Sequence, residues 1–207
     1  MTSAERDYWD GEAASFDDEA DHGLRDPQVR DAWRSLLIGL TPPIPSRIAD
    51  LGCGTGTLSL LLAEEGHRID GIDISPEMVR RANAKAGTFP GVGFVVGDAA
   101  VPPFETGVYE VVLCRHVLWA LPDPAAALGR WTDLLTPTGR MLLIEGSWST
   151  GAGLSAEQTV ALAEGAGLAV TARPLTDPGY WGRRIDDERY VVVGKRLPKQ
   201  RESRANL

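Results

Sequence analysis

The nine residues Ile48-Ala49-Asp50-Leu51-Gly52-Cys53-Gly54-Thr55-Gly56 carry the densest chemical signal in this chain. An apolar run containing an acid gives way to alternating glycines, and residues 57–63 continue with apolar side chains at helical spacing. Glycine has no Cβ, so it permits a tight turn and a close ligand approach, while N–H groups at a helix start point into the same crevice. Such a turn suits an adenosine cofactor. A dinucleotide turn reads G-x-G-x-x-G and seats a pyrophosphate; here the glycines fall at 52, 54 and 56, with Asp50 two residues before the first. A carboxylate there repels a pyrophosphate but suits an ammonium and a sulfonium, which favours S-adenosylmethionine over NAD.

Two further acids follow in order. Asp73 ends a second apolar run, 73 − 50 = 23 residues after Asp50, about where a carboxylate grips a ribose diol in such folds. Ile74 follows it, and Met78 is soft enough to pack on an adenine ring. A third run leads to Gly97-Asp98-Ala99, where Asp98, an acceptor only, can take the adenine amino group. For the reaction itself, His116 follows a fourth run and titrates in a useful range for a general base. Glu145 ends a fifth and can orient an amine or accept a proton. Trp119, Trp148 and Trp181 fall in expected loops and can wall a flat or apolar acceptor. Arg115, Arg183 and Arg184 can pair with a carboxylate of acceptor or cofactor. His22 reads as a solvated surface histidine.

The elements that must position these residues alternate. Strands are expected at 48–51, 68–73, 93–97, 108–113, 140–145, 168–172 and 188–193, and helices at 57–63, from Ser75-Pro76-Glu77 onward, at 124–135 and at 155–164. Alternation implies a parallel sheet with helices on both faces. The connection at 177–187 is short and fits an antiparallel neighbour. Residues 1–43 read as a helical cover whose apolar face is Trp33, Leu36, Leu37 and Leu40, with the prolines of 41–45 as a stiff connector. Residues 44–197 read as the core, and 198–207 as a basic, frayed tail.

The ordered series of acid-glycine loop, ribose acid, Gly97-Asp98-Ala99 and Leu135-Thr136-Pro137-Thr138-Gly139-Arg140 resembles the class I S-adenosylmethionine-dependent methyltransferases over residues 1–196. Thr138 stands where that family usually has the first glycine of its turn. Arg115 to Pro124 and Tyr8-Trp9-Asp10 are similar to a bacterial small-molecule branch. The resemblance implies a Rossmann-like three-layer α/β sandwich, a seven-stranded mostly parallel sheet with its last strand antiparallel, and Tyr8 closing over the methionine end of the cofactor. It leaves open a nicotinamide-dependent oxidoreductase and a non-catalytic cofactor-binding partner subunit.

Composition narrows the partners. With 207 residues and 43% hydrophobic content the chain supports one well-buried core. A net charge of −8 disfavours nucleic acid, which needs a basic face. No leader pattern or spanning apolar run stands out, so a cytoplasmic protein away from membranes is expected, as a monomer or homodimer. Cys53 and Cys114 read as free buried thiols. No acidic and histidine cluster suggests a metal. With only a short loop at 146–154, the acceptor pocket must come from the cover and the loops after the fourth and fifth strands, which implies a small-molecule acceptor.

Overall fold

The structure, a computed structural model, describes residues 2–42 and 45–197. It opens with α1 (Ser3–Glu12), a 3₁₀ turn at Phe16–Asp18, α2 (Ala20–Gly23) and α3 (Pro27–Leu40). The core then runs β1 (Arg47–Leu51), α4 (Thr57–Glu64), β2 (Arg68–Asp73), α5 (Pro76–Ala86), β3 (Val92–Val96), β4 (Tyr109–Arg115), α6 (Pro124–Leu134), β5 (Leu135–Ser147), α7 (Ala156–Gly165), β6 (Leu168–Pro174) and β7 (Glu188–Arg196). The basic tail expected at 198–207 lies outside the described residues. Lys195 and Arg196 belong to β7, where Arg196 meets Asp133.

One seven-stranded sheet has the order β3-β2-β1-β4-β5-β7-β6. The pairings from β3 through β5 are parallel, and β7 runs antiparallel to both β5 and β6. The chain is a Rossmann-like α/β fold with a reversed last strand. β1 sits where strand order changes direction, between β2 and β4, and ligands of open α/β sheets bind beyond the carboxyl ends of strands at that point.

Successive strand residues point to opposite faces, and both faces are covered. Ile48, Val111, Leu113, Leu142 and Ile144 pack with Trp33, Leu36 and Leu37 of α3 and Leu61 and Leu62 of α4. Ala49, Leu51, Val112, Met141 and Leu143 pack on the other side with Trp131 and Leu128 of α6. Caps set the helix starts: Ser75 Oγ accepts from Met78 N ahead of Pro76, and Asp26 and Asp123 do the same before Pro27 and Pro124. Among the described residues, no helix is long and apolar enough to cross a membrane.

The fifth strand differs from expectation. β5 begins at Leu135, not Arg140, and the turn-like run is taken up as a register shift: Leu135 pairs with Tyr109, then Arg140 with Val111. Gly139 permits it, because a Cβ there would lie 2.8 Å from the Tyr109 carbonyl oxygen.

Candidate functional site

At the carboxyl edge of β1 the glycine loop adopts backbone that side chains resist. Gly52 and Gly56 have φ of 80° and 77°. A Cβ on Gly52 would fall 2.2 Å from Val117 Cγ2, and one on Gly56 would fall 2.9 Å from Phe94 Cζ. The loop amides turn inward: Gly52 and Cys53 donate to the Ile72 carbonyl at 2.8 and 3.0 Å, Gly54 donates to Asp73 Oδ2 at 2.8 Å, and Gly56 donates to the Cys53 carbonyl. These four loop amides are used by β2 and the loop itself, whereas the first turn of α4 carries no side-chain cap.

A cavity of about 430 Å³ opens over this loop. Its inner end holds two buried acids. Asp50 Oδ2 accepts from Ser59 Oγ at 2.6 Å, and burial pushes its pKa up to about 6. Asp73 takes Ser75 N at 2.9 Å on one oxygen and Gly54 N on the other, and burial raises its pKa as well. Ile74, Met78 and Ala99 give this end apolar walls. Gly97 and Asp98 do not line it. Gly97 packs on Ile72 and donates to the Asp73 carbonyl, and Asp98 Oδ1 accepts from Ala100 N at 2.8 Å. Gly56 also lies behind the wall, at the start of α4. Cys53 lines the cavity, but burial pushes its thiol well up, away from the nucleophilic thiolate. Neither Cys53 nor Cys114 is in a disulfide.

The cover closes the cavity and is tied down at three points. Asp10 accepts from Ser75 Oγ and Glu77 N; Asp17 accepts from Thr55 Oγ1 at 2.6 Å and meets Lys85 Nζ at 2.6 Å; Asp21 pairs with Arg115. Trp9, Phe16 and His22 line the cavity, with Phe16 and His22 stacked at 4.2 Å. Tyr8 does not: it is 60% exposed and packs edge-on against Trp9. One residue along a helix turns a side chain about 100°, so Trp9 stands where Tyr8 was expected. His22, expected in solvent, is also part of the wall.

At the outer end of the cavity, His116 has a φ of 58°, rare for a residue other than glycine. Its imidazole lies edge-on to Trp148 at 5.2 Å, and its carbonyl accepts from Trp119 Nε1. Burial, then the cations of Arg115 and Arg189, hold His116 well below the usual histidine range. Glu145, expected as a catalytic group, does not reach the cavity. Its Oε1 accepts from Val117 N at 3.1 Å and Leu118 N at 2.9 Å beneath the His116 turn, and burial pushes its pKa up to about 8. Arg115 lines the cavity, but its guanidinium is committed to Asp21 and stacks on Trp33 at 4.6 Å. Trp119 and Trp148 line the cavity, whereas Trp181 is a core residue, donating to the Leu175 carbonyl and packing on Trp33. Arg183 is at the exposed rim and Arg184 is absent from the wall. Sequence reasoning missed Asp187 and Arg189, both of which line it; no local motif marks them. Among the described residues, no three His, Cys, Asp or Glu side chains gather to hold a metal.

A family described as "Methyltransferase domain" matches residues 49–143, which contain the glycine loop, Asp73, Asp98 and His116. The chain is 40% identical over 106 residues to the trans-aconitate 2-methyltransferase of Streptomyces avermitilis, covering 48% of this chain and 39% of that protein. Over that stretch the chain is similar to the class I S-adenosylmethionine-dependent methyltransferases. A demethylmenaquinone methyltransferase of Thermus thermophilus is 34% identical over 117 residues, covering 55% of this chain and 53% of that methyltransferase. The chain thus spans about half or less of the length of these curated methyltransferases. In fold it is similar to the Haemonchus contortus phosphoethanolamine N-methyltransferase 2 in complex with S-adenosyl-L-methionine, with a TM-score of 0.69, 17% identity, and coverage of 81% of this chain and 53% of that one.

Proposed function

We propose that this chain moves the methyl group of S-adenosylmethionine to an oxygen or nitrogen of a small metabolite. One observation carries the reading. Two buried carboxylates, Asp50 and Asp73, flank the glycine loop, so the inner cavity offers negative charge. That fits a cationic adenosine ligand and repels the negative charge of a pyrophosphate. A cavity of about 430 Å³ shared with such a ligand leaves room only for a small acceptor, in keeping with the small-molecule names of the relatives.

In this reading the remaining lone pairs of Asp73 would accept the ribose hydroxyls, and Asp50 would face the ammonium. Ile74, Met78 and Ala99 would flank the purine. When bound, the sulfonium supplies an electrophilic methyl carbon. The chain's own contribution is to hold the acceptor atom about 3 Å away in line and to exclude water, which Trp9, Phe16 and the tethered cover are placed to do. Residues 1–43 act as that cover and 44–197 as the core of a single domain.

Calorimetry with S-adenosylmethionine and with S-adenosylhomocysteine tests the proposal. Saturable binding of both, with none of NADH, is expected. Failure of either adenosyl ligand to bind overturns it.

A further inference from the structure

Among the described residues, the buried part of the acceptor end has donors and cations but no competent base. His116 is neutral and borders the guanidiniums of Arg115 and Arg189, so taking a proton would add a third positive charge. His22 is disfavoured as a cation by burial and by Arg115. The part-buried acids of this end are paired, Asp21 with Arg115 and Asp187 with Arg189, and Glu19 stands at the exposed rim. Glu145 is sealed beneath the wall.

Arg189 is built to hold an anion. Its side chain is only 10% exposed, and its guanidinium stacks on Trp148 at 4.7 Å and reaches Trp181 at 5.6 Å. Protein contacts use its Nη2, at 3.2 Å from the Asp187 carboxylate, and its Nη1, at 3.3 Å from the Glu188 backbone carbonyl; both are long for charge-assisted hydrogen bonds, and the fork has five donors. Asp187 is shared with Ser149 N. Trp119 and Trp148, with ring centroids 5.5 Å apart and planes tilted 55° to each other, form an aromatic corner beside it. Three buried atoms of wall side chains, Arg115 Nε, His22 Nδ1 and His116 Nδ1, have no hydrogen-bond partner.

We infer that the acceptor is a planar organic acid, held by Arg189 against Trp119 and Trp148 and methylated on its own carboxylate oxygen. The inference rests on the methyltransferase reading above. An oxygen lone pair forms the bond to the methyl carbon, the carbon–sulfur bond breaks, and its electron pair returns to sulfur as a neutral thioether. No proton moves, so no base is required. The product is a methyl ester.

The test uses protein saturated with S-adenosylhomocysteine and two matched probe pairs, indole-3-acetate with indole-3-acetamide and trans-cinnamate with trans-cinnamamide. Binding of S-adenosylhomocysteine is measured first, so failure of the cofactor reading is seen separately. The acids are expected to bind about tenfold or more tightly than the amides, as a charge-assisted contact gives. Arg189→Gln should erase that preference and leave S-adenosylhomocysteine affinity intact, while Asp187→Asn, which frees the guanidinium, should tighten the acids. Structural damage would weaken binding in both variants, so opposite signs mark charge recognition. With labelled S-adenosylmethionine, the acid should acquire a methyl released as volatile methanol by alkali. The inference is overturned if amides bind as well as acids, if no acid binds up to the millimolar range, if Arg189→Gln keeps the preference, if Asp187→Asn weakens the acids, or if the transferred label resists alkali.

Discussion

The two ends of the cavity are built differently. The inner end comes from one continuous stretch and the strand beside it: β1, the glycine loop, and β2 with its Asp73, all locked by backbone hydrogen bonds. The outer end is assembled from side chains far apart in the chain, with Asp21 of the cover, Arg115 and His116 after β4, Trp148 after β5, and Arg189 in β7. An end whose geometry is set by backbone can be specific for one cofactor. An end set by side-chain ion pairs and stacked rings can change its acceptor by changing side chains, with the sheet left intact.

That contrast predicts unequal effects. Asp73→Ala removes the acceptor of Gly54 N and Ser75 N together with the proposed ribose site, so S-adenosylhomocysteine affinity should fall by about 100-fold or more by calorimetry. A loss of only a few-fold would mean the inner end is less dependent on this carboxylate than its bonds suggest.

Glu145 sets the second effect, on stability. Burial raises its carboxyl from 4.5 to about 8 in the folded state. A raised acid stabilises fully below its unfolded value and loses that contribution as pH climbs through the folded one, so thermal stability should decline between about pH 4.5 and 8. Glu145→Gln keeps an oxygen for Val117 N and Leu118 N and should flatten the decline. An unchanged slope in thermal melts across that range would assign it to other groups.

His116→Asn should reduce turnover by less than about tenfold, since a neutral imidazole beside two guanidiniums is a poor base; general-base loss typically costs 10²–10⁴. Asparagine also tolerates the positive φ. A thousandfold loss in initial rate would restore His116 as the base. Smallest of all, Tyr8→Ala should leave cofactor affinity within about twofold, because a side chain 60% exposed outside the wall has little to lose. A larger drop would mean that Tyr8 closes over the ligand.

Much of the inner end was legible in sequence. Asp50, the alternating glycines, Asp73, Ile74, Met78 and Ala99 sit within a few residues of strand ends, where period and punctuation place them to within a residue. The sheet and its reversed last strand followed from the same alternation and from the short connection before β7. The outer end was read less well. Arg115, His116, Trp119 and Trp148 were placed at the edge, yet Trp181 turned into the core, Glu145 turned beneath the loop, and Arg189 went unnoticed inside a strand. Periodicity locates a residue along an element, but the rotation of a loop side chain depends on neighbours from elsewhere in the chain. Tyr8 and Trp9 show how narrow the margin is: adjacent on α1, one is exposed and the other lines the cavity.

The order of residues by itself determined the class of fold, the cofactor turn and the acids that follow it, because each depends on backbone preferences and spacings of a few residues. Only the tertiary structure decided that the Gly52, Cys53 and Gly54 amides are already bonded to β2, that Asp21 and Arg115 tie the cover shut, and that Arg189 stands beside Trp148. Those are contacts between segments tens of residues apart, formed when the sheet closes and its edge loops pack on the cover, and no local pattern encodes them.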